Sequence, residues 1–217
     1  PVKDKKMYDY NIKINNNFSK ILKNLKLHKM IYLSSDAVYS DTKKKITEKS
    51  KTIPDSLHGM MHLKREKIFK KILKDKLIII RPTLVYGPND PHNGYGPNKF
   101  IRAAKRNSSL VLFGKGEEKR DHIYINDLKK IVYAIINKRS KGIYNLASGK
   151  VISFNKIAKI IKFLSKNNVK ILYTPRKGSM PHGGFRAFDV SKIKRIYRNS
   201  TLTKISKFSL RKIVKQY

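Results

Sequence analysis

Short, uninterrupted apolar runs set between helix-length amphipathic segments limit this chain more than any other feature. Residues 30–33 and 77–80 show no alternation of apolar and polar positions, the pattern of strands covered on both faces. Further strands are predicted at 110–113, 121–125, 142–146 and 170–173. Ile14, Phe18, Ile21, Leu22 and Leu25 fall at spacings of three and four and predict a helix over 11–27. Pro54, Asp55 and Ser56 open another over 57–74. Helices are also predicted at 98–106, from Asn126 and Asp127 to 137, and after Ser153, where Ile157, Ile160, Ile161 and Leu164 share a face. Residues 1–9 are charged and carry no apolar period. Stretches 81–97 and 175–184 read as loop, and 189–217 as short helices. Strands alternating with helices imply an α/β fold around a parallel sheet.

A chain of 217 residues is long enough for one core with a smaller lobe. It has no cysteine, which excludes disulfides and thiolate metal sites. No apolar run approaches the roughly 20 residues of a membrane span, and no signal peptide is visible. A cytoplasmic protein without a membrane partner is the expectation. The chain opens at Pro1 without an initiator Met, which reads as an entry in mid-gene. The 51 Lys and Arg against 14 Asp and Glu give a net charge of +37. Phosphate neutralisation on a nucleic acid is one reading of that excess. However, the lysines lie evenly at the ends and outer faces of every predicted helix, and Lys, Asn and Ile are abundant together, as AT-rich coding favours. No specific nucleic-acid partner is expected, only loose attraction to polyanions, nucleotide diphosphates included.

Four segments, in order, carry a family resemblance. Residues 31–39 read Ile-Tyr-Leu-Ser-Ser-Asp-Ala-Val-Tyr. Residues 77–88 end in Arg-Pro-Thr-Leu-Val-Tyr-Gly-Pro. Residues 112–123 run from Leu-Phe-Gly through Arg-Asp-His-Ile, and residues 142–146 are Gly-Ile-Tyr-Asn-Leu. Together they resemble the extended short-chain dehydrogenase/reductases, the NAD-dependent epimerase/dehydratase family. The resemblance implies a partial Rossmann-type parallel sheet over 1–88, completed by 120–148, with a small substrate-binding lobe from 89–119 and 149–217. The family's Gly-x-x-Gly-x-x-Gly turn, which brings the cofactor pyrophosphate to a helix N-terminus, does not occur. The N-terminal cofactor half is therefore expected to be missing.

The resemblance also implies a site. Ser35 stands at the family's catalytic Ser/Thr position, with Asp36 beside it. Ala37 stands where dehydratases of the family carry Glu, which weakens a dehydratase assignment. The family's Tyr-Gly-x-x-Lys pattern, which sets a proton-accepting phenol and an ammonium on one helix face, reads His58-Gly59-Met60-Met61-His62, with Glu66 four residues on. Three readings stay open: a working His base, nucleotide binding without turnover, and a chance replacement at His58. No carboxylate at the right spacing completes a metal site with the two histidines, so none is expected. Tyr39 and Lys43 share the i, i+4 spacing but sit at a strand exit. Ser34, His62, Pro82, Thr83 and Val85 are the implied contacts of NAD or NADP. Asn98, Phe100, Arg120 and Arg186 are those of a nucleotide-sugar substrate, although Leu84 replaces the family's usual Asn. Arg120 has an alternative reading as a structural pair with Asp121. His92, His122 and His182 read as loop or surface residues, and Asn11 stands at the position of the family's helix Asn, which stabilises the active-site bend or a water. Helices 11–27 and 57–74 resemble those that pair across the family's homodimer interface. The implied activity is NAD(P)-dependent epimerisation, or a related oxidation–reduction, at a nucleotide-sugar hydroxyl.

Overall fold

Asp4 starts the first helix ahead of its apolar period. Its carboxylate accepts from Met7 N, the usual side-chain cap, and α1 runs Lys5–Asn24, six residues earlier than predicted. The computed structural model describes residues 2–90, 94–138, 140–166, 169–197 and 201–216. The strand β1 (Met30–Leu33) follows, then α2 (Leu57–Leu73), capped by Ser56, and β2 (Leu77–Pro82). With β6 (Gly142–Leu146) these strands form a parallel sheet of order β1-β2-β6. The continuous apolar run of β2 has the expected cause. Ile78 and Ile80 face one core with Ile131, Leu146 and Phe188, while Leu77 and Ile79 face another with Leu22, Phe69 and Leu73.

Of the apolar period of α1, Leu22 alone is buried in this core. Ile12, Asn15, Ser19 and Leu22 are buried, whereas Met7, Tyr10, Ile14, Phe18 and Ile21 are exposed.

Residues 84–86, read as loop, form β3 (Leu84–Tyr86). It pairs with β5 (Lys119–Tyr124), which also takes β7 (Val151–Ser153) and β9 (Phe185–Arg186). The strand β5 thus belongs to a mixed connecting sheet, and among the described strands β6 alone makes the return to the parallel sheet. The lobe above is built from α3 (Pro97–Lys105), a parallel ribbon of β4 (Leu110–Phe113) with β8 (Ile171–Thr174), α5 (Phe154–Leu164) and α7 (Lys207–Gln216). Phe100, Leu112, Phe154, Ile157 and Leu210 form its core. The segments differ from the expected division in one further respect. Phe188, Val190 and Ile193, the last in α6 (Ser191–Ile196), pack on the parallel-sheet core with α4 (Ile125–Asn137). No helix among the described residues is long and apolar enough to cross a membrane.

Candidate functional site

Strand ends β1 and β2 and the first turn of α2 open into a cleft of about 370 Å3, the edge of a parallel sheet where ligand sites form. Ser34, Ser35, Asp36, His58, His62, Pro82, Thr83, Val85 and Asn98 all line it. Gly59 sets how close α2 comes to the serine turn. A Cβ there would lie 2.1 Å from the Ala37 carbonyl oxygen and 2.7 Å from Pro54 Cβ, so any side chain would push the histidine-bearing turn away.

Ser35 caps the 3-10 turn Asp36–Val38, its Oγ accepting from Ala37 N at 3.2 Å. The hydroxyl proton stays available for another acceptor. Ser34 is spent on the protein, its hydroxyl donating to Glu66 Oε1 at 2.7 Å. Thr83 turns its hydroxyl to the Asp121 carbonyl. Asn98 accepts from Gly87 N and donates to Asp90 Oδ2, which ties the loop after β3 to α3.

The two histidines of α2 meet edge to face, with ring centroids 4.6 Å apart. Tyr32 Oη lies 2.7 Å from His62 Nδ1. Burial pushes the Tyr32 phenol up to about 12, against the opposing Arg65. Burial also pushes the His62 imidazole down to about 3, helped by His58 and Arg65. At neutral pH the phenol keeps its proton and donates it, Nδ1 accepts, and the ring proton of His62 sits on Nε2. His62 is thus an uncharged donor at the position that holds an ammonium in the pattern the helix resembles.

Three predicted substrate residues lie elsewhere. Phe100 is 1% exposed in the lobe core, because the face of α3 that carries it packs on Tyr95 and Phe154. Arg120 pairs with Glu118, Nε to Oε1 at 2.5 Å. Asp121, the alternative partner, instead accepts from Ser148 N, Ser148 Oγ and Gly149 N. Arg186 is also 1% exposed. Its guanidinium pairs with Asp36 at 3.0 Å and Asp41 at 3.1 Å, and donates to the Asp36 and Tyr39 carbonyls. It pins the serine turn from behind, so Asp36 lines the cleft with its charge already paired. Asp41, Asp55 and His182 could together present ligand atoms to a cation, but the Arg186 guanidinium already binds there.

Tyr39 donates to Asn145 Oδ1 in the core. Asn11 receives the Arg65 guanidinium and so joins α1 to α2 away from the cleft. His122 is buried on β5, not on the surface. His182 sits partly buried against Asp41, and His92 lies outside the described residues. The sequence reading passed over Tyr32, which sits inside an apolar run and reads as core, and Tyr95, which lines the cleft within the Gly-rich stretch 94–96.

The family model of the NAD dependent epimerase/dehydratase family matches residues 2–147. An uncharacterized UDP-glucose epimerase, YtcB, of Bacillus subtilis is 24% identical over 81% of this chain and 56% of its own length. A UDP-N-acetyl-alpha-D-glucosaminuronate decarboxylase of Bacillus cytotoxicus is 32% identical over 54% of this chain and 38% of its own. The chain therefore spans about half the length, or less, of these curated relatives. Among solved structures, a Bacillus cereus UDP-glucuronic acid 4-epimerase with UDP-glucuronic acid and NAD superposes with TM-score 0.83 at 22% identity. That match covers 95% of this chain and 66% of the other. A UDP-N-acetylglucosamine 4-epimerase of Methanobrevibacter ruminantium gives 0.79 at 25% identity, over 97% and 69%.

Proposed function

Because this chain belongs to the NAD-dependent epimerase/dehydratase family, we propose that it acts on a sugar hydroxyl of a nucleotide sugar, by epimerisation or a closely related oxidation–reduction. The observation that carries this reading is the cleft that gathers Ser35, His58 and His62 beside Pro82, Thr83 and Val85. NAD, when bound, supplies the hydride exchange. The residues fit its nicotinamide side: Pro82, Thr83 and Val85 offer a wall, and His62 Nε2–H offers a donor to a ribose hydroxyl. The sequence holds no glycine-rich turn for the pyrophosphate, so the fit is to that side alone.

In this reading Ser35 donates to the reacting sugar oxygen and His58 takes its proton. His62 cannot share that task, since its only lone-pair nitrogen already accepts from Tyr32. With NAD and UDP-glucuronic acid, chromatography of the products is expected to show slow 4-epimer formation. His58→Ala should lower the rate about 100-fold or more, the scale of a lost general base, and His58→Tyr should raise it above the unsubstituted protein. An unchanged rate in His58→Ala would remove the base role. A second reading, nucleotide-sugar binding without turnover, draws support from the uncharged His62. It predicts binding by calorimetry with no epimer formed in any variant.

The reading extends to a homodimer through α1. Met7, Tyr10, Ile14, Phe18 and Ile21 make one exposed apolar stripe, and a stripe of this kind is stabilised by covering it. Sedimentation is expected to give twice the chain mass, with Phe18→Lys returning it to a monomer. A monomer without any substitution would count against this extension.

A further inference from the structure

A second cleft, of about 420 Å3, lies where β5 and β7 approach residues 204–205. It shares no lining residue with the first. Lys119, Lys150, Lys156 and Lys204 surround it, and no carboxylate lines it. In a chain with 51 Lys and Arg, four lysines together would by themselves be a solvated face. His122 on the lining makes this one different. The residue is 1% exposed, and its Nδ1 lies 3.2 Å from the Arg120 carbonyl oxygen. That oxygen can only accept, so Nδ1 carries the ring proton and Nε2 is a bare acceptor. Nε2 is buried with no hydrogen-bond partner among the described residues. The rings of Tyr86 and Phe154 stand edge-on to the imidazole, and the Tyr86 hydroxyl donates instead to the Thr203 carbonyl. A buried acceptor without a donor is destabilising, and a ligand hydroxyl would restore the missing bond.

Backbone amides do not supply the anion contacts here. At the start of α5, Phe154 N donates to the Glu118 carbonyl, Asn155 N to the Gly116 carbonyl and Lys156 N to Ser153 Oγ. Recognition of an anion therefore falls to the lysine side chains.

We propose that this cleft binds a hydroxyl-bearing phosphate ester of sugar-phosphate size, with the lysines on its phosphate and a hydroxyl donating to His122 Nε2. The volume is in the range of small-molecule sites. The proposal does not depend on the chemistry assigned to the first cleft. Ribose 5-phosphate and inorganic phosphate are the probes, titrated into the full chain at about 150 mM salt to suppress diffuse attraction. Ribose 5-phosphate is expected to bind about fivefold or more tightly than inorganic phosphate, the scale of one added hydrogen bond, and to move the His122 ring resonances. Lys150→Gln with Lys204→Gln should weaken it about tenfold, as loss of charge-assisted contacts does. Lys13→Gln with Lys67→Gln, on α1 and α2, should leave it unchanged. His122→Phe should make the two probes bind alike. Equal affinity for both probes in the unsubstituted protein, or equal weakening by the two lysine pairs, would reduce the binding to general charge. If His122→Phe does not fold, the His122 resonances decide: ring signals that ribose 5-phosphate leaves unmoved overturn the proposal.

Discussion

Replacing Glu66 by glutamine is expected to cost about 3–5 kcal/mol of stability, the scale for breaking a buried ion pair from one side. Glu66 is 1% exposed. Its Oε1 accepts from Ser34 Oγ at 2.7 Å and Arg81 Nε at 2.8 Å, and its Oε2 accepts from Arg81 Nη2 at 2.5 Å. Arg81 is equally enclosed, with its guanidinium 4.7 Å over the Tyr39 ring, and Tyr39 is held by Asn145. Burial alone would weaken the hold of Arg81 on its proton, but Glu66 and Tyr39 outweigh it and raise the guanidinium above its ordinary value. Glutamine keeps the shape but strands that cation and turns an amide N–H₂ toward the guanidinium in either orientation. The urea midpoint should fall with little change in slope. Glu66→Leu with Arg81→Met should lose much less than Glu66→Gln, because it leaves no stranded charge. A loss below about 1 kcal/mol in Glu66→Gln, a typical neutral hydrogen bond, would mean that the pair does not hold the strand ends together. The network joins β1, α2, β2 and β6 one residue from Ser35, so the same variant should also loosen the cleft.

Elements whose signal is local were legible in the sequence. The β1 and β2 runs, the Ser153 cap and the Ser56 start all appear in place, because burial of both sheet faces and capping leave marks within a few residues. The three short strands β3, β7 and β9 were not legible. Each has two or three residues and exists only because β5 lies beside it, so its cause is tertiary. The apolar period of α1 was found, but period alone does not say which of two partners it faces. Of the site, Ser35, His58 and Pro82 did converge, since each ends or follows a strand or opens a helix at one sheet edge. The arginines were misplaced for a physical reason. Arg186 meets Asp36 across 150 positions, and no spacing rule reaches that far. Arg120 and Asp121 point to opposite faces of β5, so the pair suggested by adjacency cannot form. Tyr32 was hidden because a strand tyrosine and a core tyrosine look alike until the helix opposite presents a nitrogen to its hydroxyl.

Acid should destabilise this fold from about pH 6.5 downward through its two enclosed imidazoles. The unfolded chain takes up a proton at His62 and at His122 near the ordinary value of about 6.5. The folded chain resists, because burial pushes both down to about 3. Between these values the unfolded state binds more protons, so stability rises with pH and is lost as pH falls. Asp121 works the other way. Burial raises its carboxyl to about 6 despite the bonds from Ser148 and Gly149, so the folded state takes its proton first and gains on acidification from about 6 to about 4. One carboxyl against two imidazoles leaves the histidines dominant near pH 5. His122→Phe isolates one of them. Its stability deficit at pH 7 should shrink by about 1.4 kcal/mol for each pH unit between about 6 and 4, since the variant no longer carries the group that resists protonation. Tyr32→Phe tests the other. Without the phenol, His62 Nδ1 loses its donor, and nitrogen chemical shifts should report a mixture of tautomers in place of Nε2–H alone. A His122→Phe deficit that stays constant from pH 7 to 4 would show that the imidazole titrates alike in both states.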